Sequence, residues 1–136
     1  MKILCTFVIE HEPVAKGRPR FGNGRTYTPL KTKNYEQFIK LAAMQAMRGK
    51  KPTESAVHLS ARFNFECPKS WSLKKKQDAY NGLIEHVSRP DIDNLLKAIK
   101  DAFNGIVWVD DSQVSSLESS KEWWTTGQTF ITVSEK

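Results

Sequence analysis

The chain has little with which to do thiolate or zinc chemistry. Its 136 residues include only two cysteines and three histidines. Cys5 and Cys67 show no motif spacing and fall on expected strands, so they read as buried, reduced thiols rather than a disulfide or a ligand pair. A Cys/His set of the kind zinc selects is missing, as is any apolar run long enough to cross a membrane. Ile3 to Ile9 is apolar, but Glu10 and Glu12 follow too soon for a signal peptide, so a cytoplasmic location is expected. Repeats, low-complexity tracts and linker-like stretches are also lacking. The length fits one domain, residues 1–136, able to bury a core without disulfides or a structural metal.

Acidic residues are scarce in the first part of the chain. Residues 1–51 hold 11 Lys/Arg against 3 Asp/Glu, whereas residues 52–136 hold 10 against 12, within a formal net charge of +6. A basic half suits a polyanion and an acidic half suits a cation, the footprint expected of a nucleic-acid binder. A merely solvated basic surface is the alternative.

The pattern predicts a mixed α/β (α+β) domain with a central sheet and helices mainly on one face. Ile3 to Ile9 is β-branched and aromatic enough for a buried strand. Pro13 to Pro29, with its glycines and prolines, cannot hold regular structure for long. From about Thr32, Tyr35, Phe38, Ile39, Ala42 and Ala46 repeat at helical spacing, and Gly49 is a natural stop. Val57 to Phe65 alternates, with His58, Ser60, Arg62 and Asn64 on the wet side. Ser72 would cap a short helix holding Lys74, Lys75 and Lys76, closed by Gly82. The clearest helix carries the stripe Ile92, Leu95, Leu96, Ile99, Ala102 and Phe103, with Gly105 just past its end. Ile106 to Val109 then reads as the start of a strand, and Val114 to Trp124 and Thr129 to Val133 as two more.

Chemistry concentrates in Asp91, Asp93 and Lys97 at the start of that clearest helix, and in Asp110 and Asp111 beyond its end. Carboxylates crowded together repel and need a cation to offset them. Mg²⁺ takes oxygen ligands, often one or two carboxylates, and fills its other positions with water and phosphate oxygens. All four carboxylates face one pocket if a later strand passes the helix start. The competing explanation is local. Aspartate is a favoured N-cap and first-turn residue, worth ~1 kcal/mol, and Asp110 and Asp111 suit a turn. Lys97, one turn after Asp93, is either an i,i+4 ion-pair partner or a cation that stabilises a phosphoryl transition state.

Lys16, Arg18, Arg20 and Arg25 interleave with glycines, Phe21 and Tyr27. Glycines let a backbone approach a phosphate, arginines fork onto it, and a ring such as Tyr27 stacks on an unpaired base. Lys74, Lys75 and Lys76 are either a solvated helix face or a secondary backbone contact. His86, alone before a helix, suggests neither a ligand nor a proton carrier, and Trp123-Trp124 suits core and edge packing.

The run from Arg89 to Val114, RPDIDNLLKAIKDAFNGIVWVDDSQV, resembles the signature of the RusA-type Holliday-junction resolvases. KGRPRFGNGRTYTP (Lys16 to Pro29) is similar to the family's basic segment, and WSLKKK (Trp71 to Lys76) with the His86 region to the stretch before the motif. The resemblance implies a small homodimeric endonuclease that cuts four-way DNA junctions with Mg²⁺ or Mn²⁺ and leaves 5′-phosphates. Its essential acidic residues match Asp91, Asp93 and Asp111, and its functional lysine matches Lys97. Asp110 belongs to the same pair with a less certain role. Resolvases of this kind often serve phage or prophage DNA. Two other readings stay open: a nuclease for flaps, forks or single strands, and a non-catalytic DNA-binding protein selective for branched structure. A protein-binding adaptor using Trp123-Trp124 has the least support.

Overall fold

The computed structural model describes residues 1–16 and 30–136 throughout, and the backbone alone of residues 20–22 and 25–27. Strand β1 spans Lys2–Ile9, and the short β2 (Arg20–Gly22) and β3 (Arg25–Tyr27) pair as an antiparallel ribbon. Helix α1 spans Leu30–Met47, β4 Val57–Glu66, α2 Leu73–Tyr80, α3 Ile92–Phe103, β5 Val114–Trp124 and β6 Gln128–Glu135. The main sheet runs β1-β6-β4-β5. Its first two pairings are antiparallel, and β4 lies parallel to β5. A parallel neighbour requires a long crossover. Here residues 67–113 supply it, and they contain α2 and α3.

Alternation decides which face is covered. Cys5, Ile9, Leu59, Ala61, Phe63, Ile131 and Val133 point to one side and form a single buried cluster with α1 and α3. Helix α1 contributes Tyr35, Ile39, Ala43 and Met47 at four-residue spacing. Helix α3 contributes Leu95, Ile99, Ala102 and Phe103. Full burial of one such large side chain is worth roughly 1.5–3 kcal/mol, so the α3 stripe alone fixes which way that helix faces. The domain is therefore α+β with a mixed four-stranded sheet, as its periodicity predicts. None of the described helices is long and apolar enough to cross a membrane.

Two expectations need correction. Ile106 to Val109 does not enter a strand. Gly105 takes a positive φ of 79°, and the following residues form a tight turn joined to neighbours by isolated bridges alone. The reason is Trp108, which is fully buried, meets Phe103 edge-on and donates its indole N–H to Asn104 Oδ1 at 2.8 Å. Swinging this ring into the core bends the chain away from the sheet. The second correction is Asn64. It alternates with the solvent side of β4, yet it is 5% exposed. Helix α2 and the segment after it wrap the β5 edge and close over that end of the outer face, where Ala79, Tyr80 and Ile84 share a hollow with Asn64.

Candidate active site

Helix α3 begins at the sheet edge, and its first turn carries the first two candidate carboxylates. Asp91 occupies the N-cap position with an extended backbone (φ −69°, ψ 145°), yet its side chain makes no capping hydrogen bond. The capping explanation therefore does not account for this carboxylate, which lies exposed. Asp93 is also exposed in the first turn, where it complements the helix dipole. The two line one shallow hollow together with Glu85, His86, Ser120 and Lys121. Asp93 also lines the adjoining hollow with Lys97, Lys100, Asp111 and Leu117. Asp93 is thus common to both, flanked by Asp91 on one side and Asp111 on the other.

Asp110 is placed differently. It accepts the Ser112 N–H at 2.9 Å and caps the 3₁₀ turn Asp111–Gln113 in a reciprocal box with Gln113. Hydrogen bonding from Ser112, through side chain and backbone, holds its carboxyl below the usual range. Its neighbour Gln113 ties the turn down. Gln113 Oε1 accepts the N–H groups of Val109 (3.0 Å) and Asp110 (2.8 Å), while Nε2 donates to the carbonyls of Thr53 and Ser55 (2.8 and 2.9 Å). One side chain thereby fixes where Asp111 sits relative to the segment leading into β4. Gln113→Ala strands part of that set, and a loss of roughly 1–3 kcal/mol is expected, read as a lower urea midpoint at unchanged slope.

Lys97 lies 3.4 Å from Asp101 Oδ2, the helical i,i+4 partner, with its side chain 61% exposed. The ion pair and the position beside Asp93 and Asp111 coexist, since an exposed lysine pair of this kind is weak and its ammonium can be shared. Lys16 is committed inward. Its ammonium bonds Glu36 and lies 3.5 Å from Asp101. Partial burial disfavours its charge, but the two carboxylates outweigh that and raise its pKa. Its backbone N–H donates to the Asn94 carbonyl at 3.0 Å, so the basic segment leaves from the start of α3. Arg18 and the side chains of Arg20, Arg25 and Tyr27 lie outside the described residues. On α2, Ser72 caps the Lys75 N–H as expected. Lys74 pairs with Asp78 at 3.6 Å and Lys75 sits over the Trp71 ring at 4.2 Å, whereas Lys76 makes no ion pair among the described residues.

Sequence reasoning missed Lys121. In register, the inward row across the sheet is Ile9, Thr129, Phe63 and then Lys121 on the edge strand. Its ammonium donates to the carbonyls of Ser88 (2.7 Å) and Pro90 (3.1 Å), so it ties the peptide leading into Asp91 to β5. The available signal was phase: Lys121 alternates with Leu117, Ser119 and Trp123, on the side that faces the helices. Beside it, His86 is buried against Trp123 in a stack (4.0 Å, 15°). Burial, then the charge of Lys121, lower the His86 pKa, so the ring is neutral at pH 7.

The candidate ligands Asp91, Asp93 and Asp111 are all carboxylates, and His86, which lines the same hollow as Asp91 and Asp93, is buried in its stack on Trp123. Among the described residues no three acidic, His or Cys side chains close into a metal cage. An Mg²⁺ held here would have to take most of its positions from water and substrate phosphate oxygens, as that ion commonly does. The carboxylate set does not suit structural zinc.

Comparison with known proteins covers most of the chain. The family described as Endodeoxyribonuclease RusA matches residues 10–134. A protein of Bacillus subtilis (strain 168), described as uncharacterized protein YqaN, is 39% identical over 121 residues, covering 85% of this chain and 84% of that protein.

Proposed function

Since the chain belongs to the endodeoxyribonuclease RusA family, we propose that it is a metal-dependent endonuclease that resolves four-way DNA junctions by paired, symmetrical nicks. The observation that carries this reading is the unused carboxylate of Asp91, at an N-cap position without a cap bond, next to an Asp93 shared with Asp111. Asp91, Asp93 and Asp111 would hold Mg²⁺ or Mn²⁺. When bound, the metal supplies Lewis acidity and a nucleophilic water at neutral pH.

The chain's own side chains do the rest. Lys97, which lines the hollow of Asp93 and Asp111, would offset charge that develops on the phosphate. Lys121 holds the Ser88–Pro90 carbonyls and so sets the direction from which Asp91 enters the hollow. Asp110 orders the turn that presents Asp111, and its bond to Ser112 supports that part more directly than a ligand role. The basic segment beyond Lys16 and the lysines of α2 would bind phosphates along the arms, with branched shape giving most of the selectivity. Two nicks from one site per chain call for a two-fold dimer.

Lys121→Met is expected to raise the Mg²⁺ concentration for half-maximal cleavage about 10–100-fold, as loss of a residue that orients a metal ligand does. Lys121→Arg, which keeps the carbonyl contacts, recovers most of it. The substrate class is tested by comparing a four-way junction, a flap, a fork and a linear duplex of shared sequence. Preferential cutting of the four-way junction supports a resolvase. Equal cutting of flaps and forks replaces it with a broader branched-DNA nuclease.

A further inference from the structure

Next to the carboxylates is a third hollow, of about 330 Å³, most of whose lining the proposed chemistry does not use. Its size is at the lower end of ordinary ligand pockets, ~300–1,000 Å³. Three residues, Glu85, His86 and Lys121, line both this hollow and the one that holds Asp91 and Asp93, so the two are continuous around the β5 edge. The lining mixes charged side chains with rings: Tyr80 meets Trp124 edge-on with centroids 5.7 Å apart, and Phe130 lies under the Arg62 guanidinium at 4.7 Å.

Among these rings sits Asn64. It is 5% exposed, it lines the hollow, and its amide makes no hydrogen bond to any described residue. A buried amide costs free energy unless something pairs with it. Its atoms are not among the sealed, unpartnered ones, so water in the hollow can pair with the amide and a ligand entering there can displace that water. An amide offers one acceptor and two donors side by side, which matches the hydrogen-bonding edge of a nucleobase. Flat aromatic walls with one such amide are how proteins hold a base taken out of its stack.

We infer that this hollow takes one unstacked nucleobase of the branched strand, with Asn64 on its hydrogen-bonding edge and Trp124 against its face. The inference deepens the nuclease reading and rests on it. Because Glu85, His86 and Lys121 line both hollows, a base seated here would help place the cut as well as add affinity. Glu85 and the Glu122 carboxylate, 3.3 Å from Arg62, stand at the rim. With Arg62 and Lys121 on the same lining the charges balance, which gives a phosphate no net attraction, while the carboxylate oxygens can accept from the exocyclic amino groups of a base.

The test is a scan of single abasic sites through the nucleotides around the branch point of a four-way junction, with affinity measured in EDTA so that no cutting is needed. One abasic position is expected to weaken wild-type binding about tenfold, the size of a lost base–aromatic stack. Trp124→Leu, at the rim, should bind the intact junction as weakly as wild type binds the abasic one and lose no more when the base is removed. Asn64→Ala should do the same and also spread the cut sites on a junction with a mobile core. Uniform insensitivity to abasic sites in the wild type, or unchanged abasic sensitivity in Trp124→Leu, overturns the pocket. A protein that shows the abasic signature yet never cuts keeps the pocket and loses the nuclease reading. A protein that cuts junctions without the signature does the reverse.

Discussion

Asp93→Asn lowers the rate of metal-dependent junction cleavage by at least about 100-fold, because loss of even an outer-shell partner of a metal ligand costs 10–100-fold. Asp93 is the carboxylate common to both hollows, so removing its charge weakens the cation's hold from both sides. The substitution is nearly isosteric and lies on an exposed first turn, so the helix loses only the dipole contribution of ~0.3–1 kcal/mol. Junction affinity in EDTA should hold or rise slightly, since one negative charge near the DNA phosphates has gone. Single-turnover rates beside a binding isotherm separate the two effects. A rate within twofold of wild type would return Asp93 to a helix-capping role.

Trp108→Ala removes the largest fully buried side chain, and the expected loss is roughly 3–5 kcal/mol. That is a large share of the ~5–15 kcal/mol available to a domain. The effect reaches the site because Trp108 is the pin of the turn that delivers Asp110 and Asp111. The Val109 N–H bonds the Thr53 carbonyl and the Thr53 N–H bonds the Val107 carbonyl, on either side of the ring. Trp108→Phe keeps most of the packing and gives up the bond to Asn104, so it should cost only about 1 kcal/mol beyond the lost volume. Urea denaturation of the two variants distinguishes them. Equal, small losses would mean that the turn is held by Gln113 alone.

The parts of this fold that were legible are those written in local periodicity. The α3 stripe and its Gly105 stop, the β4 alternation and the Ser72 cap each depend on residues a few positions apart. The parallel β4–β5 pairing was not legible, because it joins residues separated by the whole crossover and has no local signature. The turn at Trp108 was misread for a related reason: Ile106 to Val109 has strand propensity, but burial of one indole outweighed it. Asn64 was assigned to the wet face because alternation describes a strand and not what later wraps it. At the site, the positions of Asp91, Asp93, Lys97 and Asp111 were named from motif spacing, whereas the commitment of Asp110 to Ser112 depends on backbone geometry that spacing does not encode. Lys121 went unremarked because β5 is interrupted by serines, which blur its inward phase.

The central claim is that the Asp91–Asp93–Asp111 carboxylates act through a divalent cation to cut branched DNA. The most direct test is cleavage of an immobile four-way junction, labelled on opposing strands, with Mg²⁺, with EDTA, and with Mg²⁺ restored after EDTA. The account predicts symmetrical nicks in two opposing strands only when metal is present, regained on restoration, with a matched linear duplex left intact. Cutting that persists in EDTA, or binding with no cutting under any metal, would contradict it and leave the carboxylates as helix-terminal and turn residues of a DNA-binding protein.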